Sequence, residues 1–201
     1  MPSQTSRLPL VGGRLALNFV NSLRQSKSSN LEEFIRFLEI ASVVSPERSA
    51  LLLHLPESDQ KAADALLSRV ARLGKSLRQI FSAMVRRERI AREWVESVNE
   101  ILRITEGHDE LVFENGEWRL EFMAREDGLD WLLAAIARSA AEILLEGPAA
   151  RLRVCANPVC GLFFCDMSRT RRRRWCSMAR CGNRHKVAAF ARRHETHRPA
   201  A

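Results

Sequence analysis

No apolar run in this 201-residue chain approaches the roughly 20 residues needed to cross a bilayer. The cleanest, Trp131 to Ala137, ends at Arg138. The N-terminus has no basic-then-apolar leader with a small-residue cleavage site, so secretion and membrane insertion are not expected. There is no glycine-rich phosphate loop and no nucleophile elbow. The carboxylates of the first 150 residues form no recognisable catalytic pair. We therefore expect no enzyme and no catalytic residue. The same 150 residues contain no cysteine: all five lie between 151 and 201. Without a secretory leader, these are expected as reduced thiols or metal ligands rather than disulfides.

Charge is divided as sharply. Residues 151–201 carry 13 Lys and Arg against Asp166 and Glu195, a net +11, whereas residues 1–150 are net −3. The overall +8 therefore belongs to one short tail. With 46% hydrophobic residues the chain can build a core. We expect two parts: a helix-rich domain over 1–148 and a basic, cysteine-bearing module over 149–201.

The first part reads mostly as helix. Leu15, Phe19 and Leu23, with Ala16 and Val20, recur at helical spacing. Asn30 and Glu33 suggest a capping box ahead of Leu31, Phe34, Ile35 and Leu38. Leu66, Val70, Leu73, Leu77, Ile80 and Met84 form one stripe on a helix of about eight turns, interrupted in composition only by Gly74. The stripe reads as core, with a homodimeric coiled-coil seam as the alternative. Trp94, Val98, Ile101 and Leu102 mark another helix. Leu111, Phe113, Trp118, Leu120 and Phe122 then fall on one face of a hairpin turning at Asn115-Gly116, because Asn-Gly supplies the positive φ angles of a two-residue turn. Leu129 to Leu145 is apolar around most of its girth, with Asp130, Arg138, Ser139 and Glu142 on a narrow polar side. This helix should run through the domain and stop at Gly147-Pro148. The fold class is α+β, dominated by helix.

In the tail, Cys155-Ala-Asn-Pro-Val-Cys160 and Cys176-Ser-Met-Ala-Arg-Cys181 are two Cys-x4-Cys pairs. Two loops, each offering two thiolates, make a tetrahedral site for one structural zinc per chain, with iron as the alternative metal. Cys165 stands outside this spacing. It reads as a packed thiol, or as a redox-sensitive one if the arginines lower its pKa. His185, His194 and His197 are expected to serve charge or hydrogen bonding on a following helix rather than to bind the metal.

The segments Arg153-Val-Cys155, Cys160-Gly-x-Phe-Phe, Asp166-x-Ser168-Arg169, Arg173-Arg174-Trp175-Cys176-Ser-Met and Cys181-Gly182-Asn183-Arg184-x-Lys186 strongly resemble the CGNR-type zinc finger. The sequence Gly12-Gly13-Arg-Leu15-Ala-Leu17-Asn18-Phe19-Val20-Asn21-Ser22 resembles the opening of the ABATE domain that usually precedes it. Asn18 and Ser22 stand where that family commonly has Asp and Thr. The resemblance implies a bacterial, cytoplasmic transcription regulator, with an effector-sensing N-terminal domain and a DNA-binding finger.

The basic residues lead toward a similar partner. Arg169 and Arg171 to Arg174 lie between the cysteine pairs, where a metal would pin them, and guanidinium groups bind phosphate bidentately. After Cys181 a helix should place Asn183, Val187, Phe190, Ala191 and His194 against the finger. Its other side would present His185, Lys186, Ala189, Arg192 and Arg193. Aromatic stacking platforms are few, which favours duplex DNA over single strands. The expected DNA contacts are Arg169, Arg171, Arg172, Arg173, Arg174, Arg184, Lys186, Arg192 and Arg193. The alternative is a protein-interaction adaptor whose finger docks an acidic partner.

Overall fold

The computed structural model describes residues 10–25, 30–104, 107–114, 116–124 and 129–195. Helices dominate it, joined by one hairpin and a small two-stranded unit beside a cysteine cluster, an α+β arrangement.

Helix α1 spans Leu15–Gln25 and buries Ala16, Leu17, Phe19, Val20 and Asn21. Helix α2, Leu31–Ile40, begins at Asn30, whose side chain accepts from the Glu33 amide at 2.9 Å. Two short helices, α3 (Pro46–Leu53) and α4 (Leu55–Ser58), lead to α5, Gln60–Arg86, capped by Asp59 accepting from Ala62 N–H. The α5 stripe is buried from Leu66 to Ile80 and half-buried at Met84. Each such side chain is worth about 1.5–3 kcal/mol on burial. The stripe is thus used inside the chain and is not available as a dimer seam. Gly74 has a specific role in it: a methyl there would meet Leu23 Cδ1 at 2.2 Å, so its absence lets α1 and α5 approach closely.

Helix α6, Arg92–Ile104, packs Val98 and Ile101 inward. Strands β1 (Gly107–Glu114) and β2 (Glu117–Ala124) pair antiparallel with Phe113 opposite Trp118 and Leu111 opposite Leu120, so the alternation expected from the sequence is kept. Gly116 takes φ +83°; Asn115 lies outside the described residues. Leu111 and Phe113 are exposed, Trp118 is 68% exposed, and the Phe113 and Trp118 rings sit 5.0 Å apart.

Helix α7, Trp131–Glu146, runs through the core and ends at Gly147, φ +52°. Ser139, expected on its polar side, is buried and accepts from Ala16 N–H of α1 at 3.2 Å. Strands β3 (Leu152–Val154) and β4 (Phe163–Cys165) pair antiparallel. Side-chain alternation makes β4 two-faced: Phe163 and Cys165 join the helical core, while Phe164 joins Cys155, Leu162, Cys176 and Cys181. The main core therefore continues past residue 148 into the tail. Helix α8, Asn183–Glu195, follows the last cysteine. Among the described residues no helix is long and apolar enough to cross a membrane.

Candidate metal centre and nucleic-acid interface

The sulfur atoms of Cys155, Cys160, Cys176 and Cys181 all lie within 4.8 Å of one another. Cys160 and Cys176 are 3.6 Å apart, and Cys176 and Cys181 3.7 Å. A tetrahedron with zinc–sulfur bonds of about 2.3 Å has sulfur–sulfur edges of about 3.8 Å. The donor set and its spacing fit one zinc ion, and these four residues would hold it.

The local chain explains how the pairs converge. Asn157 O accepts from Cys160 N–H at 2.9 Å, closing the first loop into a turn, and Asn157 Oδ1 accepts from Val159 N–H. The Asn157 amide then donates to Cys181 Sγ at 3.5 Å, while Cys176 N–H points at Cys155 Sγ at 3.4 Å. Of the second pair, Cys176 precedes a wide helical turn, Met178–Gly182, and Cys181 sits on it. A methyl on Gly182 would meet Met178 Sδ at 2.5 Å and Trp175 Cδ1 at 3.3 Å, so the Met178 side chain folds over the bare glycine.

Burial pushes the Cys160 and Cys176 thiols up. At Cys181 burial acts the same way, but the Asn157 amide and the neighbouring sulfurs outweigh it and pull the thiol down. Metal binding takes thiolates, so a dication offsets the desolvation that disfavours them.

Cys165 sits elsewhere. It is buried in the helical core, and burial pushes its thiol up despite Arg14 nearby. A reactive cysteine needs exposure and a lowered pKa. The packed-thiol reading describes this environment and the redox-sensitive one does not.

Asp166, which the sequence marks only as part of a motif, holds the arginine loop. It is 1% exposed. Its carboxylate accepts from Ser168 N–H (3.1 Å), Ser168 Oγ (2.6 Å) and Arg173 N–H (3.0 Å), and pairs with Arg153 at 3.2 Å. Burial opposes ionisation, but these partners outweigh it and hold the carboxyl below its ordinary value. The Asp-x-Ser spacing is the sequence signal for such a turn.

Of the predicted contact residues, Arg169, Arg171, Arg172 and Arg174 are exposed on the loop between the pairs. Arg174 lies over the Trp175 ring, 5.4 Å from its centroid. Arg173 turns inward. Its guanidinium donates to the carbonyls of Trp175, Cys176 and Val11 and rests on the Phe164 ring. Arg184 and Lys186 are exposed on α8, either side of His185, whose ring packs on Trp175 at 4.6 Å. The side chains of Arg192 and Arg193 lie outside the described residues. Val187 and Phe190 are 69% and 60% exposed. These two, expected against the finger, are therefore exposed, and the His185–Trp175 contact seats the start of the helix instead.

Sequence reading also missed how α1 grips this unit. Arg24 donates to Cys160 O at 2.8 Å, Arg180 to Gln25 Oε1 at 2.8 Å, and Asn21 bonds both backbone groups of Phe163. Asn18 accepts from Gly12 N–H at 2.8 Å, shaping the loop whose Gly12 carbonyl receives Cys165 N–H. The first-helix motif is thus a contact surface for the cysteine unit.

Comparison with known families accords with this arrangement. Residues 13–147 match the family model ABATE, described as "Putative stress-induced transcription regulator", and residues 151–194 match the CGNR zinc finger. No curated protein matches the chain.

Proposed function

The chain belongs to the ABATE family and carries a CGNR zinc finger, and from that premise we propose that it is a transcription regulator whose zinc-organised finger binds duplex DNA. The observation carrying the proposal is the set of exposed cations around the metal centre. Arg169, Arg171, Arg172 and Arg174 on the pinned loop, and Arg184 and Lys186 on α8, have no carboxylate partner among the described residues. Arginines held in place and left uncompensated bind phosphates at low ordering cost. Arg192 and Arg193 extend the same basic stretch of sequence, while Arg173 acts by holding the loop.

Within the finger, Phe163 and Phe164 are buried and Trp175 packs on His185, so of its four aromatics Phe190 alone is largely exposed, which is too few for a stacking platform and favours a duplex. Four thiolates would complete a tetrahedral zinc and leave no position for water, which gives the metal a structural rather than a catalytic role. Thiolate ligands suit a reducing compartment, which supports the cytoplasm.

Fluorescence anisotropy with a mixed-sequence duplex tests the reading. The affinity should fall with salt by about 0.9 in log–log slope per phosphate neutralised. A flat salt dependence, or no binding at low salt, overturns it. One observation favours the adaptor alternative: Val187 puts an exposed apolar side chain on α8. A protein-docking finger would keep its partner when nonspecific duplex is added.

A further inference from the structure

Between the helical domain and the finger lies an open cleft of about 1340 Å³. Its floor includes Val85, Ile90, Leu144 and Leu152, which pack against the core from one side and stay half-buried on the other. Its rim carries Arg87, Arg151, Arg171 and Arg174, all exposed and without a carboxylate partner among the described residues. Glu88, also on the rim, pairs with Arg86 at 2.8 Å. The cleft therefore offers cationic heads above an apolar surface.

Its backbone is unusual as well. Among the described residues, four that are not glycine adopt positive φ: Ser42, Arg87, Arg151 and Arg171. Three of the four are arginines on this rim. Arg87, φ +58°, closes α5 with its N–H on Ala83 O and Met84 O, and Arg151, φ +49°, closes the turn after Gly147 with its N–H on Pro148 O. Glycine is the ordinary residue for such termini. Left-handed backbone strains a bulky residue, and strained positions gather at ligand clamps. Here all three positions line the same cleft.

We propose that this cleft is a binding site for a small organic anion with an apolar body, its carboxylate or phosphate held by Arg87, Arg151 and Arg171 and its chain laid on Val85, Ile90, Leu144 and Leu152. Pockets with apolar walls and a few convergent polar groups are the usual form of small-molecule sites. The site spans both parts of the chain, because Arg87 ends α5 and Arg171 belongs to the metal-pinned loop. The proposal does not depend on DNA binding.

Decanoate is the probe, titrated calorimetrically into the zinc-loaded full chain, with acetate as the headgroup alone. The expected result is one decanoate per chain and no heat from acetate at the same concentration. Arg87→Gly and Arg151→Gly should each weaken decanoate at least tenfold while the thermal midpoint holds or rises, because glycine relaxes the left-handed backbone. Arg151→Lys should retain more affinity than Arg151→Gly. No decanoate binding, or wild-type affinity in both glycine variants, overturns the proposal. So does loss of duplex affinity in these variants with decanoate binding unchanged, which would make the cleft a seat for backbone phosphate.

Discussion

Asn21 and Phe163, 142 positions apart, exchange two hydrogen bonds: Asn21 Nδ2 donates to Phe163 O at 2.8 Å, and Phe163 N–H donates to Asn21 Oδ1 at 2.9 Å. A primary amide reproduces the donor and acceptor of a neighbouring strand. Strand β4 has β3 on one edge, and Asn21, with the Gly12 carbonyl on Cys165 N–H, satisfies the other. The helical domain thereby closes an edge that would otherwise stay unpaired. It also fixes the strand from which the metal loops are hung.

Asn21→Ala leaves the buried Phe163 N–H and C=O without partners. At about 1–3 kcal/mol for each unsatisfied group, the loss is on the order of 2–5 kcal/mol. Urea unfolding of the zinc-loaded protein should show a lower midpoint with an unchanged slope. An unchanged midpoint would mean that α1 does not hold the finger.

Cys176→Ser removes a ligand, and mass spectrometry of the purified metal content should then find well below one zinc per chain. Cys165→Ser should keep the full complement, because Cys165 faces the helical core. With zinc chelated, iodoacetamide should modify the four clustered cysteines before Cys165. Early labelling of Cys165 would restore the redox-sensing idea.

Asp166 contributes stability that depends on its charge. Its folded-state pKa is below the ordinary value, so the contribution is fully present above about pH 4 and disappears as pH falls through the depressed value. Asp166→Asn should cost about 2–4 kcal/mol. Most of that is loss of the Ser168 and Arg173 bonds, because the half-exposed Arg153 adds little. The difference between wild type and variant should be constant from pH 8 to about pH 5. A difference that grows toward acid pH would contradict the assignment.

The arginine run should divide into two classes. Replacing Arg171, Arg172 and Arg174 with Gln should reduce the salt slope of DNA binding by about 0.9 for each phosphate no longer neutralised and leave the thermal midpoint nearly unchanged. Arg173→Gln should instead lower the midpoint and the zinc affinity, since its guanidinium bonds the Trp175 and Cys176 carbonyls. Equal behaviour of all four residues would remove the distinction.

Features that repeat locally were legible in the sequence. Cysteine pairs at equal spacing met in one cluster, the stripe from Leu66 to Met84 became α5, and the alternation around Asn115-Gly116 became a hairpin. What stayed hidden depended on distant partners. Asn21 lies within a helical period and reads as an ordinary polar position, yet Phe163 makes it core. Arg173 is chemically identical to its neighbours, and only the carbonyls of Trp175 and Cys176 draw it inward. Val187 and Phe190 read as a packed face because helical periodicity identifies a side without identifying what covers it. For the same reason the hairpin face of Phe113 and Trp118 was legible and its exposure was not.

The most direct test of a zinc-organised DNA-binding finger is anisotropy of a labelled mixed-sequence duplex with the zinc-loaded protein beside a chelated sample. The account predicts salt-sensitive binding that is lost on chelation and returns when zinc is restored. Equal binding by both samples would contradict it, because the arginines would then act without the metal that positions them.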